Sequence, residues 1–411
     1  MTISSKRTRC RAAWLLAVGS LALAGVAAPV EAGLQLTSTA ERLTAAQATL
    51  ALHLVDAIAA KQPPANVIVS PASLAGALSV IERGDSPKLQ PMLHGLLGFN
   101  KSPTAWIDFD ALRRATGGGR ENDALSSANA MYFDTATMPY PEAVATLSQD
   151  GTHVEISDFG KPEALAAINA WVNAQTKGRI PTILDQLPKD TGLVALNAVY
   201  FKDRWKQTFD AGETKPAPFH LVGGSTVDVP LMHAGDRQFS FRRDPRFVAV
   251  DLPYATAGLS LVVVTTIDAP AAAKDFAGLA DWLAGKDFAE ARGEIALPRF
   301  GASANIDLMP ALASLGFKPP AALPGFAAGP LRLRKVQQRV ELKVDEEGTE
   351  AAAATAVTAA RSMQPDLVKM VVDKPFVFAL RDSTTGLVVV AGYVAKPDAL
   401  PIAESGKPTS N

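Results

Sequence analysis

Residues Leu193 to Phe201, LVALNAVYF, form a continuous apolar run. A strand of that composition has no side left for water, which predicts a position inside a sheet covered on both faces. The rest of the chain has to supply that cover. Residues 38–60 set Leu43, Leu50, Leu54, Val55 and Ile58 near one face of a helix, and 163–177 predict a second amphipathic helix, ended by Gly178. Asn66-Val67-Ile68-Val69 reads as a short strand. Ser70-Pro71 follows, with proline well placed for a first helical turn, and that helix continues to Ile81. Residues 84–122 are rich in Gly, Pro and polar side chains, with short helical pieces, and 128–133 reads as a strand.

After Trp205 the pattern is dominated by strands, at 247–252, 259–266, 293–300, 336–344, 368–372, 376–381 and 387–393. Ser383-Thr384-Thr385-Gly386 joins the last two as a hairpin, and 306–315 predicts a return to helix. Helices early and strands late predict an α+β protein. No linker of disordered composition divides the chain, so one large domain is expected.

Of 411 residues only Cys10 is a cysteine, so an intramolecular disulfide and a set of cysteine ligands for zinc are both excluded. The fold rests on its core. Forty Lys+Arg against 41 Asp+Glu leave a net charge of -1, which argues against broad nucleic-acid binding. Lys6, Arg7, Arg9 and Arg11 precede an apolar run at 12–28, and Val30-Glu31-Ala32 offers a small-x-small cleavage site. This is a secretory signal layout; a retained membrane anchor is the other reading. Cleavage near Ala32 is favoured. It makes 1–32 a signal peptide and 33–411 the mature domain, secreted or periplasmic and free of the membrane.

Five histidines are present and none forms an H-E-x-x-H pair; no G-x-S-x-G elbow and no phosphate-cradling loop with Lys-Ser/Thr appears. No catalytic residue, metal site or cofactor is expected, although a hydrolase with a scattered triad stays open.

The segment 345–364, DEEGTEAAAATAVTAARSMQ, does not fit its surroundings. Its alanines favour helix, so an Ala-rich surface helix or a flexible connector is one reading. The other is a strand in waiting. Thr349, Ala351, Ala353, Thr355, Val357 and Ala359 share one face at period two, and nothing from Ala351 to Ala360 is charged, large or proline. Such a stretch can enter the middle of a sheet without overpacking it or removing ladder hydrogen bonds.

Four motifs in order carry a resemblance that covers nearly all of the mature sequence. They are Asn66 to Ser73 (NVIVSPAS), Asn197 to Trp205 (NAVYFKDRW), Glu346 to Thr355 (EEGTEAAAAT) and Met370 to Leu380 (MVVDKPFVFAL). The chain resembles the serpin family of serine protease inhibitors, and within it a bacterial-type inhibitory member. The resemblance implies the serpin fold: a large central β-sheet, two smaller sheets, about nine helices and an exposed reactive-centre loop at about 346–366. It implies a hinge at Glu346, Glu347, Gly348, Thr349, Glu350, Ala351, Ala352, Ala353, Ala354 and Thr355. It implies a breach at Trp205 and Arg299, with Arg299 able to pair with Glu346, and a shutter at Ser70, Ser73, Asn129, Asn197 and Gln338. Each has a plainer reading: Trp205 as core, Arg299 as a surface charge, the shutter residues as ordinary helix-start and strand positions. Many serpins carry histidine where this chain has Gln338, so the shutter network departs from the family there.

The implied activity is suicide inhibition of a serine protease, the partner in a 1:1 covalent complex, by a monomer. Counting forward from the hinge places the scissile bond at Ser362–Met363; counting back from Lys374-Pro375-Phe376 places it at Arg361–Ser362. The second is favoured, because arginine fits the acidic pocket of trypsin-like proteases. The first implies an elastase- or chymotrypsin-like target, and Arg361 can also be a plain solvated residue. A non-inhibitory serpin acting as a binding protein is a further alternative. Residues 84–122 show no basic helix pattern, so a polyanion cofactor is not expected.

Overall fold

The computed structural model describes residues 38–61, 66–82, 88–99, 124–149, 152–187, 191–320, 322–349 and 367–397. The signal segment 1–32, hinge residues Glu350 to Thr355, and Arg361, Ser362 and Met363 lie outside them. The apolar run at Leu193 forms a strand in which every residue is buried, as its lack of a polar face requires.

In chain order the helices are α1 (Ser38–Ala59), α2 (Pro71–Glu82), α3 (Leu89–Leu97), α4 (Pro141–Gln149), α5 (Pro162–Gln175), α6 (Ala280–Leu283) and α7 (Met309–Ser314). The strands are β1 (Val67–Val69), β2 (Leu125–Asp134), β3 (His153–Ser157), β4 (Leu193–Phe201), β5 (Asp203–Arg204), β6 (Lys215–His220), β7 (Thr226–Arg243) and β8 (Phe247–Pro253). Then come β9 (Leu259–Thr266), β10 (Ala289–Pro298), β11 (Phe300–Asp307), β12 (Leu333–Val344), β13 (Gly348–Thr349), β14 (Val368–Val371), β15 (Phe376–Asp382) and β16 (Val388–Val394). Among the described residues these helices number seven, alongside three short 3-10 turns.

Two sheets result. One has seven strands in the order β3-β2-β4-β12-β13-β5, with β11 on the other side of β12; the second has nine, in the order β1-β16-β15-β9-β8-β7-β10-β14, with β6 on β7. The two smaller sheets expected from the resemblance are joined into this one ladder. The join is β7, whose 18 residues pair with β6 at one end and β8 at the other while β10 follows along its length.

The sheets pack face to face. Val199, Phe201, Val340, Leu342 and Val344 of the first meet Leu261, Val263, Phe376, Phe378 and Leu380 of the second in one core cluster. Phe300 lies with its ring centroid 5.2 Å from both Phe376 and Phe378. Each fully buried side chain of this size contributes roughly 1.5–3 kcal/mol relative to exposure. The opposite face of β2 and β4 is closed by α5, where Ile168 and Val172 sit on Ala128, Ala130, Val194, Leu196 and Ala198. These are the two layers of cover that β4 demanded.

Some elements differ from the sequence expectation. The strand expected at 293–300 is two, β10 ending at Pro298 and β11 beginning at Phe300, and the expected helix starts at Met309 rather than Ile306. β11 has small and polar residues and pairs only with β12, so its ladder partner, not its own pattern, makes it a strand. α4 buries only Leu147 and β3 buries nothing fully, which is why neither shows a periodic signal.

Candidate functional site

β4 and β5 form one strand line interrupted at Lys202, with β12 parallel beside it. Direct pairing runs from Leu333 opposite Leu193 up to Glu341 opposite Tyr200. Above that rung the lines part, and Gly348–Thr349 fills the gap. Thr349 pairs with Val344 of β12 and with Asp203 of β5, and Gly348 pairs with Arg204. Of the segment expected from the sequence to be a hinge, Gly348 and Thr349 lie inside the sheet.

A tight return delivers it there. The Asp345 N–H donates to the Gly348 carbonyl at 2.9 Å. The Asp345 carboxylate accepts the N–H groups of Glu347 at 3.0 Å and Gly348 at 3.2 Å. Burial pushes the Asp345 carboxyl above its ordinary range, against the pull of those two donors. Gly348 has φ 151°, and a Cβ there would lie 2.2 Å from the Asp203 carbonyl oxygen and 2.6 Å from the Arg204 Cα. Only glycine permits that approach.

The mouth of the slot is built from aromatic and charged side chains. Trp205, 4% exposed, donates its indole N–H to the Asp345 carbonyl at 2.9 Å and its main-chain N–H to the Glu347 carbonyl at 2.8 Å. Its ring stacks on Tyr254, with centroids 4.5 Å apart and planes 15° off parallel. The Tyr254 and Thr349 hydroxyls are hydrogen-bonded at 2.9 Å, and burial pushes the Tyr254 phenol well above its ordinary range. Arg299 and Glu346 form a buried ion pair. Arg299 Nε lies 2.8 Å from both carboxylate oxygens and Nη2 lies 2.6 Å from Oε1, and the Thr214 hydroxyl donates to the same carboxylate. Charge-assisted bonds of this geometry are strong. Glu347 instead points outward to Arg204 at 3.0 Å, with the Arg204 side chain 58% exposed, so that pair contributes little.

Lower in the slot, Ser70, Ser73, Asn129, Asn197 and Gln338 meet in one network. Gln338 Oε1 accepts the Ser70 N–H at 2.8 Å, and Gln338 Nε2 donates to the Ser70 carbonyl at 3.0 Å and to Asn197 Oδ1 at 3.1 Å. Asn197 Nδ2 donates to Ser73 Oγ at 2.6 Å and to Asn129 Oδ1 at 2.8 Å. Ser73 and Ser127 share a hydrogen bond of 2.9 Å, and Ser70 Oγ donates to the Val389 carbonyl on β16 at 2.6 Å. The amide of Gln338 thus satisfies both main-chain groups of one residue, which a histidine ring can do only with both nitrogens. Among the described residues no cluster of three or more His, Cys, Asp or Glu is placed to hold a metal ion.

A family profile described as Serpin (serine protease inhibitor) matches residues 45–397. The chain belongs to the serpin family. It is 29% identical to the leukocyte elastase inhibitor of Sus scrofa over 381 residues, 87% of this chain and 100% of that protein. It is 30% identical to Serpin-Z1A of Triticum aestivum over 397 residues, 88% of this chain and 98% of that protein. The native-state structure of Tengpin, a thermophilic serpin, superposes with a TM-score of 0.77 at 22% identity, covering 87% of this chain and 94% of that one. Human thyroxine-binding globulin in complex with thyroxine gives 0.75 at 22% identity, covering 88% and 100%. At that identity both speak to the fold alone. The named relatives are from an animal and a cereal and give no support to the bacterial-type reading.

Tyr254, Thr214 and Asp345 were not legible as site residues of this serpin. Tyr254 follows a strand like any core tyrosine, and its partner Thr349 is 95 residues away. Thr214 has no motif at all. Asp345 is the one with a local signal, since an Asp ahead of Glu-Glu-Gly suits a turn that caps its own N–H groups.

Proposed function

We propose that this serpin inhibits a serine protease as a suicide substrate, forming a 1:1 covalent complex as a monomer. The observation that carries the reading is β13. Gly348–Thr349 already pairs on both sides in the slot, and the residues that follow in sequence are small, uncharged and free of proline from Ala351 to Ala360. In this reading the protease's serine oxygen attacks the carbonyl carbon of Arg361. The peptide bond to Ser362 breaks, the Ser362 nitrogen leaves as an amine with a proton from the protease's histidine, and Arg361 stays as an ester. The freed segment then continues β13 down the slot between β4 and β12, and the tethered protease is displaced before water completes the hydrolysis. Trp205, Arg299 and Glu346 hold the entry, and the network around Gln338 holds β4 and β12 together below it.

Arg361–Ser362 suits a trypsin-like target. Ser362–Met363 suits an elastase-like one, and the leukocyte elastase inhibitors among the relatives favour keeping that second reading. Export to the periplasm or the medium rests on the sequence at 1–32. The test is to incubate the mature chain separately with trypsin and with pancreatic elastase and resolve the products on a denaturing gel. A stable band at the summed mass with either protease supports inhibition and names the bond class. Clean cleavage with both, and no such band, supports a non-inhibitory serpin.

A further inference from the structure

The end of the sheet beside the docked hinge carries its charges on one side. From Phe201 to Lys206 the chain is extended. Asp203 and Arg204 pair with β13, Trp205 bridges to Tyr254, and the Lys206 N–H donates to the Pro253 carbonyl at 2.9 Å. Side chains along such a segment alternate. Phe201 and Trp205 are buried and Asp203 is half-buried, while Lys202, Arg204 and Lys206 stand exposed on the opposite side. Alternate residues of a strand are about 6.7 Å apart, so the three cations form a ridge about 13 Å long. Asp203 turns away from it and accepts the Arg204 and Thr256 N–H groups, and Glu347 holds Arg204 at 3.0 Å. Among the described residues no side chain partners Lys202 or Lys206. In a chain of net charge -1, this cationic edge comes from placement and not from composition.

Resting on the inhibitory reading above and on a trypsin-like target, we propose that Lys202 and Lys206 form a docking ridge for an acidic surface of the protease. β5, which carries Arg204 between the two lysines, is the direct neighbour of Gly348 and Thr349. Thr349 stands twelve positions ahead of Arg361 in the sequence. A tether of that length reaches at most about 40 Å, so a protease that holds Arg361 stays near this end of the sheet. Lysine suits such a contact, because a hydrated ammonium on a flexible stem needs no fixed partner geometry. Exposed ion pairs add little affinity. They act instead on encounter, steering opposite charges together over about a Debye length, roughly 8 Å at physiological salt. Encounter is what counts for an inhibitor that traps its target covalently, since the fastest partner is the one captured. Two ammonium groups flanking a paired arginine are too few to hold a polyanion against salt. They are enough to change the rate at which a folded acidic surface arrives.

The test uses two trypsins that share the preference for cutting after arginine or lysine and differ in surface charge, one anionic and one cationic. The second-order rate of covalent-complex formation is measured at low and at physiological salt. Three chains are compared: wild type, Lys202→Gln with Lys206→Gln, and Lys202→Glu with Lys206→Glu. With anionic trypsin at low salt the glutamine variant is expected to associate more slowly on the order of fivefold. The glutamate variant should be slower again, and the wild-type rate should fall as salt is added. With cationic trypsin the glutamate variant is expected to be faster than wild type, a gain that a misfolded chain cannot produce. Equal rates for the three chains with anionic trypsin overturn the ridge while leaving inhibition intact. Equal slowing of the variants with both trypsins also overturns it, because a loss blind to the protease's charge is structural. No covalent complex of the wild-type chain with either trypsin overturns the trypsin-like inhibitory reading and the ridge with it.

Discussion

The hydroxyls of Tyr254 and Thr349 are hydrogen-bonded at 2.9 Å, with the two residues 2% and 0% exposed. One belongs to the wall of the slot and the other to the strand that has begun to fill it, so the bond exists only while the hinge is docked. Tyr254→Phe keeps the ring stacked on Trp205 and strands the Thr349 hydroxyl. The expected cost is about 1–2 kcal/mol, read as a lower urea midpoint with an unchanged slope. An unaltered midpoint removes this bond from the list of things that hold the hinge.

The Arg299–Glu346 pair makes a sharper demand. Both side chains are under 10% exposed, so removing either partner leaves a charge in the interior. Arg299→Met alone and Glu346→Leu alone are each expected to destabilise, the arginine variant by about 3–5 kcal/mol. The double variant Arg299→Met with Glu346→Leu is expected to recover most of that loss, because a well-packed apolar replacement avoids the desolvation penalty. Additive losses in the double variant would instead mean that the two residues act separately.

Much of this fold can be read from composition and period. β4 declared itself by having no polar face, and α1, α2, β8, β9, β15 and β16 fall within a residue or two of where their patterns put them. What escaped did so for a physical reason. β3, β11 and α4 bury few side chains, so their existence depends on neighbours far along the chain. The site divides the same way. Ser70, Ser73 and Asn197 sit in the motifs quoted from the sequence, and they are found hydrogen-bonded with Asn129 and Gln338, which lie outside those motifs. Tyr254 and Thr214 touch the hinge across long sequence separations and carry no motif.

Asp345 links the hinge to pH. Burial raises its carboxyl in the folded chain, so the folded state holds this proton more tightly than the unfolded state does. Its contribution to stability is then full below the unfolded carboxylate range and is lost as pH rises through the raised folded value. Asp345→Asn cannot ionise and is expected to lack this component. Urea unfolding of both chains from pH 4 to pH 7 checks it: the difference in stability, wild type minus variant, should fall with rising pH. A flat or rising difference contradicts the direction.

Gly348 is the last point at which the hinge can be tested without touching hydrogen-bonding side chains. A Cβ there meets the Asp203 carbonyl oxygen at 2.2 Å, the Arg204 Cα at 2.6 Å and the Trp205 nitrogen at 2.9 Å, all main-chain atoms that have nowhere to go. The φ of 151° adds strain for any L side chain. Gly348→Ala is therefore expected to expel β13 from the slot rather than to be absorbed. Expulsion breaks the Trp205 bonds to Asp345 and Glu347 and wets its ring. The chain has five tryptophans, so the signal is the part of the emission that Trp205→Phe abolishes. That part should shift to the red in Gly348→Ala, and the variant should lose more than about 1 kcal/mol of stability. If the emission is unmoved, residue 348 is not wedged between β12 and β5, and the docked hinge on which the inhibitory reading rests is lost.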